Sequence, residues 1–128
     1  LKSSKGVNRI GHIALRVKDL NRSKSFYQKL GMKLIWDDAD WCYLEAGIGK
    51  DGLALLGPSY KSAGPHLAFH FEEKDEVKKI HSDLKLSGIK VGSIHEHRDG
   101  TASFYMQDTE GNWLEMIYVP KGGIQSNV

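Results

Sequence analysis

The stretch IGHIALRV, residues 10–17, returns in altered spelling as GPHLAFHF, residues 64–71. His12-Ile-Ala-Leu-Arg-Val and His66-Leu-Ala-Phe-His-Phe stand at a single offset of 54 positions (12 to 66), with apolar and polar residues in step. A repeat constrains a fold more than any single element does. Each copy is one supersecondary unit, and neither buries its apolar face alone. Both stretches read as strands, because Ile13, Leu15 and Val17, and likewise Leu67, Phe69 and Phe71, alternate with polar or small residues. His12, Ala14 and Arg16 therefore share one face, and His66, Ala68 and His70 share the matching face of the second copy.

The copies continue in parallel. DLNRSKSFYQKLG opens on Asp19 as a cap, places Leu20, Phe26, Tyr27 and Leu30 near helical spacing, and stops at Gly31. EEKDEVKKIHSDLKLSG sets Val77, Ile80 and Leu84 on one stripe and stops at Gly88. Then MKLIW answers IKVGSI, WCYLEAG answers SFYMQD, and GLALLGP answers NWLEMIYVP. Each copy predicts strand, helix, strand, strand, strand. The expected architecture is α+β: two βαβββ modules pairing into a cupped mixed sheet, helices outside, with a ligand cleft on the inner faces. A chain of 128 residues suits one such domain. Module one covers about 7–57, a linker about 58–63, module two about 64–120 and a tail 121–128.

The charge of +2 is small and the lysines are interspersed with acids, as in EEKDEVKK, so no basic stripe marks a nucleic-acid partner. No apolar run approaches the ~20 residues of a membrane helix, and the start LKSSKGVNRI lacks the apolar core of a signal peptide. With a lone cysteine, Cys42, these features predict a soluble, cytoplasmic protein without a membrane partner. Cys42 itself reads as a small buried hydrophobe in WCYLEAG.

Glu115 lies in the hydrophobic run NWLEMI, where a carboxylate is expensive to bury unless a cation or hydrogen-bond donors receive it. Its repeat counterpart is Ala54, at an offset of 61 (54 to 115). The paired modules thus offer four inward positions, His12, Ala54, His66 and Glu115, of which three can bind metal. Two imidazoles and one carboxylate suit a divalent ion left open on one side, and iron, zinc and manganese are all compatible. Gly-rich GIGKDG misses the phosphate-loop spacing, and DTEGN is too short for a calcium loop. Both read as turns, the second with Gly111 at positive φ.

GHIALRVKDLNRSKSFYQKLGMKL, GPHLAFHF and DTEGNWLEM resemble the vicinal oxygen chelate superfamily, the glyoxalase, bleomycin-resistance and extradiol dioxygenase proteins, from about Val7 to Pro120. The resemblance implies a divalent metal on His12, His66 and Glu115, bound by adjacent oxygens of a small substrate. Iron(II) is the favoured ion, with manganese, zinc or nickel compatible. Ala54 departs from glyoxalase I, which has a fourth protein ligand there. Ala14 departs from the fosfomycin-inactivating group, which has threonine. No histidine between His12 and His66 fills the distal acid–base place of an extradiol dioxygenase, so His97, with His95, in HEHRDG is the candidate for it. Tyr105, ten positions before Glu115, matches the family's substrate-facing tyrosine. Arg16, His70 and Trp113 are candidates for the substrate pocket. Trp36 and Trp41 read as core or pocket wall, and His81 as an ordinary helix-surface residue.

Dioxygenase-like ring cleavage is the favoured expectation. Glyoxalase I-type lyase or isomerase activity and metal-free small-molecule binding are the alternatives. Relatives of this size further imply a homodimer whose sites are shared between chains, because a short linker keeps one chain's modules from closing on each other.

Overall fold

The computed structural model describes residues 6–128, so the first five residues of LKSSKGVNRI, read above for a signal peptide, lie outside the described residues. The elements are β1 (Arg9–Arg16), α1 (Leu20–Lys29), β2 (Lys33–Asp37), β3 (Trp41–Ala46), β4 (Asp51–Leu56), β5 (His66–Phe71), α2 (Lys74–Leu86), β6 (His95–Glu96), β7 (Ala102–Gln107) and β8 (Trp113–Tyr118). This is the expected α+β fold, with βαβββ written twice. Two compact units divide it: Gly11–His66 with Gln125–Val128, and Leu67–Ile124 with the described residues up to Ile10. Among the described residues no helix is long and apolar enough to cross a membrane.

In the first unit the strands run β2-β3-β4-β1. β1 lies parallel to β4, with His12 opposite Gly52 and Ala14 opposite Ala54, and β3 lies antiparallel to β4, with Tyr43 opposite Ala54. α1 begins where Asp19 Oδ1 accepts the Arg22 N–H at 3.0 Å, and the chain leaves it through Gly31 at φ 98°. Leu20 and Tyr27 of the helix region pack with Val17, Leu34 and Leu53 over Cys42, Leu44 and Leu55.

One expectation is corrected here. Ile13 and Leu15, assigned by parity to the helix-covered core, are 47% and 38% exposed. α1 lies across β3 and β4, which leaves this face of β1 without a helix over it. The tail, for its part, returns to the edge strand. The Asn127 amide accepts from the Asp37 N–H at 2.7 Å and donates to the Asp37 carbonyl at 3.1 Å, while the Asn127 backbone N–H donates to the Ile35 carbonyl at 3.0 Å. Edge groups that would otherwise face water or another chain are thereby satisfied.

In the second unit the order is β5-β8-β7-β6. β5 is parallel to β8, with Ala68 opposite Glu115 and His70 opposite Ile117, and β7 is antiparallel to β8, with Tyr105 opposite Glu115. Here the helix stripe closes fully: Val77, Ile80 and Leu84 pack on Phe71, Phe104 and Met116. IKVGSI, expected as a strand, is a second correction. Only Val91 pairs, as an isolated bridge to Met106, and the strand is instead His95–Glu96 of the next segment. Val91 and Ile94, three apart, both turn into the α2 core, a spacing that one face of a strand does not provide.

Truncation of Ile80, 2% exposed, to alanine should cost about 2–5 kcal/mol in urea unfolding, whereas Ile48→Ala at a fully exposed turn should stay within about 0.5 kcal/mol. Equal losses at the two positions would contradict the α2 packing.

Candidate metal centre

The first unit contributes both imidazoles. His12, on the face of β1 opposite Ile13 and Leu15, is 6% exposed. Its ring meets Tyr43 edge-on at a centroid distance of 5.4 Å and 83°, and meets His66 at 5.7 Å and 74°. Residues 54 positions apart in sequence are thus neighbours within one chain. His66 opens β5, and its Nδ1 lies 2.8 Å from the Gly64 carbonyl oxygen. A carbonyl only accepts, so Nδ1–H donates. The neutral ring then carries its lone pair on Nε2, the arrangement in which a backbone acceptor orients a metal-ligating histidine.

Other side chains of this unit have structural work. Arg16 donates through Nη1 to the Gly57 and Tyr60 carbonyls, both at 2.7 Å, and through Nη2 to the Ala63 carbonyl at 3.2 Å. The guanidinium grips the linker, satisfying carbonyls that no strand pairs. Trp36 and Trp41 stack at 6.4 Å, and both indole N–H groups donate to Asp38 Oδ2, at 2.8 and 3.2 Å. Cys42 is fully buried, and burial pushes its thiol up to about 11, countered in part by the nearby Lys24 ammonium.

The second unit contributes the carboxylate. Glu115, in the middle of β8, is 4% exposed and stands in register between Ala68 of β5 and Tyr105 of β7. Directly opposed residues point to the same face of a sheet. Ala68, His70, Glu115, Ile117, Ser103 and Tyr105 therefore share the face away from α2. His70 is buried beside Ile117, Tyr105 is half-buried, and Trp113, opposite Gln107, is half exposed. His97 is exposed on the turn after β6, where its Nε2 lies 2.9 Å from Oγ of the buried Ser103 and its backbone N–H donates to the Thr101 carbonyl. HEHRDG is thus part strand and part turn. His81 donates through Nε2–H to the Gly92 carbonyl at 2.8 Å, tying α2 to the segment before β6. Asp108 accepts from the backbone N–H groups of Glu110 and Asn112 and from the Asn112 side chain, and these bonds hold its carboxyl below the usual range in the turn that Gly111 closes at φ 84°.

Sequence reasoning passed over Tyr43. The register makes it the counterpart of Tyr105, since one faces Ala54 and the other Glu115 (43 to 105, an offset of 62). The signal was present in the match of WCYLEAG to SFYMQD, where both strings carry tyrosine in third place.

Residues 9–116 match the family described as Glyoxalase/Bleomycin resistance protein/Dioxygenase superfamily. The chain belongs to that superfamily. Among solved structures, 2,2',3-trihydroxybiphenyl 1,2-dioxygenase from Sphingomonas wittichii aligns at a TM-score of 0.68 and 27% identity over 91% of this chain and 43% of its own. The chain therefore spans less than half the length of that dioxygenase. Methylmalonyl-CoA epimerase from Mycobacterium tuberculosis aligns at a TM-score of 0.73 and 18% identity over 88% of each chain. A variant of the Streptomyces coelicolor methylmalonyl-CoA epimerase, in complex with 2-nitronate-propionyl-CoA, aligns at 0.69 and 18% over 88% of this chain and 98% of its own. Both epimerases show likeness of fold. No curated protein matches.

Native Cys42 should resist iodoacetamide at pH 8 and react on unfolding, read by mass spectrometry. A thiol raised in the folded state favours folding below its ordinary value near 9, and this contribution is lost as pH climbs through about 11. Rapid labelling of the folded chain at pH 8 would contradict the burial.

Proposed function

We propose that the chain is a divalent-metal-dependent enzyme in which His12, His66 and Glu115 hold one ion and a small substrate binds it through adjacent oxygens. The observation that carries this is the His12–His66 pair, two imidazoles from equivalent strands facing each other at 5.7 Å, one already oriented by Gly64. The donor set fits. Two neutral imidazoles and one carboxylate neutralise half of a divalent charge and suit iron(II), with manganese, zinc and nickel compatible. Such an ion supplies Lewis-acid stabilisation of negative charge on the substrate's oxygens, and iron(II) in addition supports dioxygen chemistry.

Ring cleavage of a catechol-type substrate is the favoured reaction. The 27% identity to a dioxygenase that acts on a trihydroxybiphenyl supports it, and Ala54 in place of a fourth ligand argues against the glyoxalase I reaction. In this assignment the Tyr105 phenol, directly opposite Glu115, donates to a substrate oxygen as charge builds on it. His97, exposed to water and hydrogen-bonded to Ser103, exchanges the proton. His70 and Trp113 line the substrate's side of the sheet. Arg16 is left out, its guanidinium being engaged on the linker.

His12 and His66 meet within one chain, so the metal site needs no second chain to bring these two together. The homodimer is retained with a complete imidazole pair in each copy, and the exposed Ile13, Leu15, Phe26 and Leu30 supply apolar surface of the kind a partner covers. A cytoplasmic setting suits the single buried thiol.

Protein purified without chelator should carry roughly one ion per chain by metal analysis, and His66→Ala should lose it. Iron(II)-loaded protein should consume oxygen with catechols and stay inactive with methylglyoxal and glutathione. Absence of binding after iron, manganese and zinc reconstitution would leave the fold as a metal-free binder and end the proposal.

A further inference from the structure

We infer that Tyr43 is a positioning residue for His12, seated there by the missing side chain of Gly52; the inference rests on the metal reading above. β4 lies between β3 and β1, and Gly52 faces His12 on one side and Glu45 on the other. A Cβ built on Gly52 would stand 1.8 Å from the Tyr43 hydroxyl oxygen, 2.4 Å from its Cζ and 2.7 Å from the Cβ of His12. No real side chain fits. Gly52 is not among the glycines of positive φ, so space and not backbone conformation demands glycine here.

Through that gap the phenol of Tyr43 crosses the bare backbone of β4 and presents its ring to His12 at 83°. The imidazole packs nearly perpendicular to two rings, Tyr43 and His66, and these contacts restrict its plane before any ion arrives. Tyr43 is 2% exposed and packs against His12, through which it acts. The second module lacks the device. Trp113 stands where the repeat has Gly52 (52 to 113), and the matching Tyr105 is half-buried. One tyrosine of the duplicated pair is thus enclosed to position a ligand, and the other stays accessible.

The test compares Tyr43→Phe, Tyr43→Leu, Gly52→Ala and the double variant Gly52→Ala/Tyr43→Leu with the parent chain. In the metal-free protein, proton cross-relaxation between the His12 and His66 rings reports the pair. In the loaded protein, cobalt(II) titration followed by visible absorption reports affinity and ligand geometry. Tyr43→Phe should keep both signals. Tyr43→Leu should lose the cross-peak and weaken cobalt(II) about 10–100-fold, the range for residues that orient a ligand, with an unchanged far-ultraviolet spectrum. Gly52→Ala should be destabilised, and the double variant, which relieves the clash with the Tyr43 ring but not the one with the His12 Cβ, should recover part of the stability without recovering cobalt(II) affinity, which a merely structural tyrosine would not produce. A folded Tyr43→Leu, or a folded double variant, with the cross-peak intact and parental affinity would overturn the inference. If the parent itself binds no cobalt(II), the metal reading fails while the cross-peak still decides the role of Tyr43.

Discussion

The register of two parallel ladders is the constraint on which the rest of this structure depends. In one, Ala14 faces Ala54; in the other, Ala68 faces Glu115. Side chains alternate strictly along a strand, so a slip of one residue exchanges the two faces. On the helix side of β8, Leu114 and Met116 pack into the α2 core. On the helix side of β4, Leu53 and Leu55 pack over Cys42 and Leu44. Exposing such residues costs roughly 1.5–3 kcal/mol each, and a slipped β8 would also press the Glu115 carboxylate into an apolar core. Ordinary hydrophobic burial therefore aims the candidate ligands. No separate force has to place them.

That dependence explains how much was legible in the sequence. The strand histidines, Glu115 and the helix stops at Gly31 and Gly88 follow from parity and from spacings that a repeat doubles, so the candidate ligands and most elements could be read without coordinates. Where the halves diverge, reading failed. IKVGSI looked like a strand by analogy with MKLIW, yet its apolar residues serve the α2 core at a spacing of three. Ile13 and Leu15 carry the same apolar parity as Leu67 and Phe69, but which strands a helix covers depends on how it lies across the sheet, which parity does not encode.

Arg16 illustrates a different limit. Its place beside His12 on one strand face suggested a substrate contact, and that inference was sound for the direction of the Cβ. The long side chain instead reaches the carbonyls of Gly57, Tyr60 and Ala63, because an irregular linker without strand partners presents acceptors that a planar five-donor group satisfies together. Side-chain reach, and the unmet hydrogen bonds of distant backbone, are invisible to periodicity.

The asymmetry between the halves carries the functional logic furthest. Identical register positions hold Ala54 in one module and Glu115 in the other, Gly52 in one and Trp113 in the other, and tyrosine in both. A pair of modules that stayed symmetric would offer either four ligands or two at those inward places. Three are present because both copies carry the histidine and one alone carries the acid. The absence of a side chain at Gly52 in the copy without the acid leaves room for Tyr43 beside His12, while in the other module Tyr105 lies half-buried opposite the acid. The modules thus differ most at their inward places, the first setting a buried tyrosine against its histidine and the second setting a half-buried tyrosine opposite its carboxylate.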